Sequence, residues 1–250
     1  MPYTQLGTFD EAQVHLARAL ELYTASGNLS GQSSAHRLLA ATSEARGRPR
    51  DALDHALRSL ELSRRSGDPR YEGDALCTVA WFHALCGEFD ESLARCEESL
   101  RWYRAKGDPH GEAAVHDTLG YSYHQLGQYD LAVDCYQQAV KQFQNAGDRY
   151  NVAGTLNRLG DVHAAAGAMG AARGAWQQAL VAMDDLGHVD AEKVRAKTQR
   201  FDSPPGEARC PELSGHRARS AVSRCRRYSS YREERGRGIA RRRLDRRPLR

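Results

Sequence analysis

Apolar residues over the first 200 positions recur at helical spacing, and no period-2 run is long enough for a strand. Leu53, Leu57 and Leu60 follow one stripe, and Leu131, Cys135, Ala139 and Phe143 follow another. Glycine punctuates these stripes in two series, each stepping by 40: Gly7, Gly47, Gly87, Gly127 and Gly167, and Gly27, Gly67, Gly107, Gly147 and Gly187. A fixed period of this size is the signature of a repeat architecture. The intervals predict helix pairs 32–46 with 50–65, 69–86 with 89–105, 109–126 with 129–145, and 149–166 with 169–186. Residues 9–26 read as the second helix of a truncated first unit, of whose first helix only Tyr3-Thr4-Gln5-Leu6 remains. A more highly charged helix near 189–200 reads as a cap, since the end of a stack needs a polar outer face.

The second glycine series carries its own physical explanation. In Ser66-Gly67-Asp68-Pro69 and Lys106-Gly107-Asp108-Pro109 the glycine can end a helix in the left-handed conformation. The aspartate can then accept orphan N–H groups of the next helix, and proline falls at its first position, where no N–H is needed. The small slots Ala12, Ala52, Ser92, Ala132 and Ala172 also lie 40 apart. They predict where the two helices of a unit approach most closely. No unit can bury its apolar face alone, so neighbours must stack.

Leu119, Gly120, Tyr123, Gly127, Tyr129, Ala132, Tyr136 and Ala139 resemble the tetratricopeptide repeat (TPR). Leu159, Gly160, His163, Gly167, Ala172, Trp176 and Ala179 repeat the pattern. His116 stands at the usual first aromatic, and the period is 40 rather than the common form's about 34. The resemblance covers about residues 1–190. It implies an all-α fold, a TPR-like α-solenoid of stacked antiparallel helix pairs, with about four and a half repeats plus the capping helix. Leu156-Asn157-Arg158-Leu159-Gly160-Asp161, Ala175-Trp176-Gln177-Gln178-Ala179-Leu180 and Asp185-Leu186-Gly187-His188 resemble, more narrowly, the C-terminal TPR region of bacterial SARP-type and NB-ARC regulators. No P-loop sequence GxxxxGK followed by Ser or Thr is present, so that resemblance implies a detached C-terminal piece or a short relative.

Charge divides the chain. Net charge is +4, but residues 201–250 hold fifteen Arg, no Lys and six acids, for +9, against −5 over residues 1–200. A solenoid over 1–200 and an Arg-rich tail over 201–250 are therefore the expected divisions. The tail supports three readings. Its arginines, interleaved with Tyr228 and Tyr231, could neutralise nucleic-acid phosphates. Its low apolar content fits disorder. Its abrupt loss of repeat grammar also fits a GC-rich gene read out of frame. Nothing resembles a signal peptide, and no apolar run approaches the roughly 18 residues of a membrane span. A cytoplasmic protein without membrane contact is expected. Cys77, Cys86, Cys96, Cys135, Cys210 and Cys225 form no CxxC pair, so reduced thiols are expected.

The resemblance implies that first helices line a concave groove. Its slots hold Arg37, Glu44, Asp74, Cys77, Trp81, Asp117, Tyr121, His124, Asn157, Arg158 and Asp161. Aromatics with acids and a few arginines suit a protein or peptide ligand bearing apolar and basic groups. The truncated N-terminal edge offers a place for self-association. Neither HExxH nor GxSxG occurs, His83 and His163 share a packing slot with Tyr123, and no acid–base pair is placed by a motif. No catalytic residue, metal or cofactor is expected, and the chain reads as a regulatory binding module rather than an enzyme. The alternative is a nucleic-acid-associated protein acting through its tail.

Overall fold

The computed structural model describes residues 9–67 and 69–202. The N-terminal remnant 3–6 and residues 203–250 of the expected tail 201–250 lie outside the described residues. The described residues form ten α-helices and no strand: α1 (Phe9–Ala25), α2 (Leu29–Ala45), α3 (Pro49–Ser66), α4 (Pro69–Leu85), α5 (Phe89–Lys106), α6 (Pro109–Gln125), α7 (Tyr129–Asn145), α8 (Arg149–Ala165), α9 (Met169–Leu186) and α10 (Ala191–Asp202). The pairs α2·α3, α4·α5, α6·α7 and α8·α9 make the most extensive contacts, and each pair packs on the next. This is the all-α solenoid expected.

The turns follow the predicted chemistry. Gly107 adopts φ 64°, and Asp108 accepts the Gly111 N–H at 3.0 Å with Pro109 at the first helical position. Asp148 accepts from the Asn151 N–H at 3.0 Å, and Asn28 from the Gly31 N–H at 2.9 Å. The Asn28 cap explains why α2 begins at Leu29, three residues before the predicted start. Caps of this kind contribute about 1 kcal/mol. The second helices α3, α5, α7 and α9 lack a side-chain cap. In α3, α5 and α7, first-turn acids such as Asp51, Asp90 and Asp130 face the positive helix end instead.

Size matching governs the packing between helices. A Cβ on Gly120 would lie 2.7 Å from the Tyr136 ring, and one on Gly160 2.4 Å from the Trp176 ring. Tyr136 and Trp176 are almost wholly buried. At the equivalent slots of the earlier units, alanine faces a smaller partner. Ala40 and Ala56 share one core cluster, and Ala80 and Cys96 share another. Between units, Gly31 seats Tyr23 and Gly111 seats Tyr103 at similarly short range. One unit along, the order of size reverses to Tyr71 and a buried Ser63.

The slots Ala12, Ala52, Ser92, Ala132 and Ala172 are all buried. Ser92, however, reaches forward: its hydroxyl lies 3.0 Å from that of Ser122 on α6, in the following unit. Hydrogen bonds within a unit also mark close approach. The Ser33 and Ser59 hydroxyls each bond the other's backbone carbonyl, at 2.9 and 2.8 Å, and Ser99 bonds the Gly73 carbonyl at 3.3 Å.

The two ends differ. On α1, Leu22 is 56% exposed where its equivalent Leu62 is 7% exposed, because α1 has no first helix beside it among the described residues. On α10, Val194 and Thr198 are buried, while Glu192, Lys193, Ala196, Gln199 and Arg200 form the exposed side.

A histidine pair also joins α2 and α3. His36 Nδ1 and His55 Nδ1 lie 3.2 Å apart, so one ring must donate and the other accept. Burial lowers the His36 pKa, as do His55 and Arg58. Burial also lowers that of His55, against the opposing pull of Asp54 and Asp51. Above the ordinary value of 6.5 both rings are neutral, folded or unfolded. Below it the unfolded chain takes up protons that the folded pair resists, so stability falls as pH falls.

Three expectations follow for denaturation. The melting temperature should drop between about pH 6.5 and 5, with a shallower slope in a His36→Gln/His55→Gln double variant. Gly160→Ala should cost about 1–3 kcal/mol in urea unfolding, because Trp176 has no room to retreat. Gly174→Ala in α9, whose Cβ meets nothing within 4 Å, should gain about 0.5–1 kcal/mol from helix propensity.

Candidate partner-binding groove

First helices touch across successive units, α2 with α4, α4 with α6 and α6 with α8, while second helices do not touch each other to a comparable extent. The first-helix side is therefore the inner side of the stack. On it lies a recess of about 290 Å³ whose lining includes Arg37, Glu44, Cys77, Trp81, Asp117 and Arg158. Six of the residues expected in the groove are thus brought together there. Tyr121 adjoins them through Trp81, with ring centroids 5.1 Å apart and planes tilted by 58°. The Trp81 indole N–H donates to Glu44 Oε1 at 2.8 Å. Burial raises the Glu44 pKa, and this hydrogen bond works against it. Burial pushes the Cys77 thiol up to about 12, so it is neutral and a poor nucleophile.

From the recess onward, the groove is bridged by internal ion pairs. Arg158 on α8 grips Asp117 on α6 through its Nε and Nη2, at 2.7–3.1 Å. The Thr155 hydroxyl donates to the same carboxylate at 2.8 Å. Burial opposes the charge on Arg158, but Asp117 offsets this, and the net pKa is raised. Lys197 on α10 donates to both Asp161 oxygens, at 2.7 and 2.8 Å, and to Asn157 Oδ1 at 2.8 Å. Asp161 also accepts from the Trp176 indole at 3.0 Å. Beneath Asp117 and Arg158, the Tyr136 hydroxyl is buried without a hydrogen-bond partner, and burial raises its pKa.

The remaining expected residues sit outside the recess. Asp74 accepts the Tyr103 hydroxyl at 2.7 Å. His124 packs edge-on against Tyr129, 6.0 Å between centroids, and burial lowers its pKa. Sequence reasoning missed Lys197, which was assigned to the cap. Its spacing of 40 from Asn157 was the available signal. It also missed Thr78 and Thr118, 40 apart, which line the recess. Among the described residues no three His, Cys, Asp or Glu side chains converge as a metal site, and no helix is long and apolar enough to cross a membrane.

Stacked helical hairpins with an inner groove define a repeat scaffold. The tetratricopeptide repeat signature matches residues 3–65, 71–145 and 112–185. The chain belongs to the tetratricopeptide repeat family. No curated protein matches it in sequence. Among solved structures it is similar to a Signal Transduction ATPase with Numerous Domains (STAND) protein with a tetratricopeptide repeat sensor from Pyrococcus horikoshii. The TM-score is 0.56 at 18% identity, over 80% of this chain and 35% of that one. The chain thus spans about a third of that protein. It is also similar to BtubC (BKLC) from P. vanneervenii, with TM-score 0.53 at 21% identity, over 86% and 84% of the two chains. At these identities the likeness is one of fold.

The Asp117–Arg158 bridge should matter for stability. Asp117→Ala leaves a largely buried guanidinium and the Thr155 hydroxyl unpaired, which should cost about 2–3 kcal/mol in urea unfolding. Asp185→Ala, which breaks the exposed Arg149–Asp185 pair, should cost under about 1 kcal/mol.

Proposed function

We propose that this chain is a non-enzymatic binding module of the cytoplasm that holds a protein or peptide partner in its inner groove. The observation that carries this reading is the recess at Arg37, Trp81 and Tyr121, where half-buried aromatic surface stays open between first helices. Aromatic and arginine side chains at the centre of a concavity are the usual energetic anchors of a protein interface. Family membership supports the same reading. We further place the module in a bacterial transcriptional regulatory system, as its sensor or scaffold part. The resemblance of residues 156–188 to SARP-type and NB-ARC regulators supports this, as does the likeness to a STAND protein whose repeats are a sensor. Self-association through the open side of α1 belongs to the same reading, on the strength of exposed Leu22 and Tyr23.

A second reading rests on the fifteen arginines of residues 201–250, whose charge suits nucleic-acid phosphates. The two separate in a pull-down from native cytosol. Partner capture should disappear in Trp81→Ala/Tyr121→Ala while far-ultraviolet circular dichroism stays unchanged. Capture that survives this double variant but is lost when residues 203–250 are deleted would transfer the function to the tail.

A further inference from the structure

The groove is electrostatically divided. From α6 onward each groove acid named above already has a cation: Asp117, at the edge shared with the recess, has Arg158, and Asp161 has Lys197. In the N-terminal half, Glu44 is occupied by the Trp81 indole, and Asp74 accepts the Tyr103 hydroxyl outside the recess. Arg37 is different. It is half-buried, lines the recess, and makes no hydrogen bond or ion pair with any described residue. Trp81 lies on the same recess, and the Tyr121 hydroxyl beside it is likewise without a described partner.

A basic ligand would have to displace Arg158 or Lys197 from its carboxylate, or bind Glu44 with the like charge of Arg37 lining the same recess. A partly desolvated guanidinium that no carboxylate of the recess contacts instead favours a ligand carboxylate, which it can bind through two parallel hydrogen bonds. The ring faces of Trp81 and Tyr121 remain for apolar packing, because the Trp81 N–H is already spent on Glu44.

We propose that the N-terminal half of the groove takes an acidic peptide, with an Asp or Glu side-chain carboxylate on Arg37 and the adjacent aliphatic side chain against Trp81 and Tyr121. This rests on the groove being the binding surface and specifies its ligand, reversing the basic preference expected from the acids in the sequence.

The test uses the full chain and two capped peptides, one alternating Glu and Leu, the other Lys and Leu. Neither peptide contains an aromatic residue, so binding is read from the protein's tryptophan fluorescence. The Glu peptide should saturate the signal, and the Lys peptide should not. Trp81→Phe should remove the response. Arg37→Glu should weaken the Glu peptide about tenfold or more and admit the Lys peptide, while Arg101→Glu, the same charge change at an exposed position of α5, should do neither. Acidic peptide held only by the arginine tail would survive Arg37→Glu, and that result overturns the proposal. So does equal binding of both peptides, a requirement for a free C-terminal carboxylate, or no response to either peptide. If these fail while Trp81→Ala/Tyr121→Ala still abolishes partner capture, the groove stands and only its acidic preference falls.

Discussion

Close helix approach, with a small residue on one helix receiving a large ring from the next, is the constraint on which the rest of this structure depends. The glycines at 120 and 160 exist opposite Tyr136 and Trp176 because no Cβ fits there. Where alanine replaces glycine, the opposing residue shrinks to Ala56 or Cys96. The units are therefore matched pairs on a common backbone period, each adjusted to keep its helices at contact distance. The density of protein interiors makes such matching compulsory, since neither a void nor an overlap is tolerated cheaply.

That spacing also builds the groove. Holding first helices close enough to touch across units brings slots 36–41 residues apart within hydrogen-bond range, as in Glu44 with Trp81, Asp117 with Arg158 and Asp161 with Lys197. The same contact geometry is filled with different chemistry along the stack. An acid and an aromatic meet between α2 and α4, two aromatics between α4 and α6, and an acid and a cation between α6 and α8 and between α8 and α10. The second half of the groove is stapled internally, and the first half keeps an open aromatic wall beside an unpaired arginine. A binding function proposed for this surface is for that reason concentrated at one end.

The open and closed ends of the stack follow the same logic. Leu22 on α1 occupies a slot whose equivalent, Leu62, is covered by neighbouring helices, so its exposure reports a missing neighbour among the described residues rather than an unusual side chain. On α10 the exposed side is polar apart from Ala196, and Lys197 ties the helix back to Asp161 in the groove. Among the described residues, one helix thus both covers the apolar face of the preceding pair and helps close the groove.

By itself the sequence determined the class of fold, the helix order and most boundaries, because glycine conformation, aspartate capping and apolar periodicity are local effects that act within a few residues. It also placed Arg37, Cys77, Trp81, Asp117 and Arg158 on one side, since a repeat carries each slot to the same face. Only the tertiary structure decided which of these side chains are free. Arg158 and Asp117 look like independent ligand contacts in the sequence, yet they neutralise each other across 41 positions. Lys197 looks like a solvated capping residue, yet it occupies the groove. Ser92 looks like an intra-unit contact, yet it reaches the next unit. The reason is geometric: a period fixes the face on which a residue lies, whereas its partner depends on the offset and tilt between neighbouring units, and those emerge from packing.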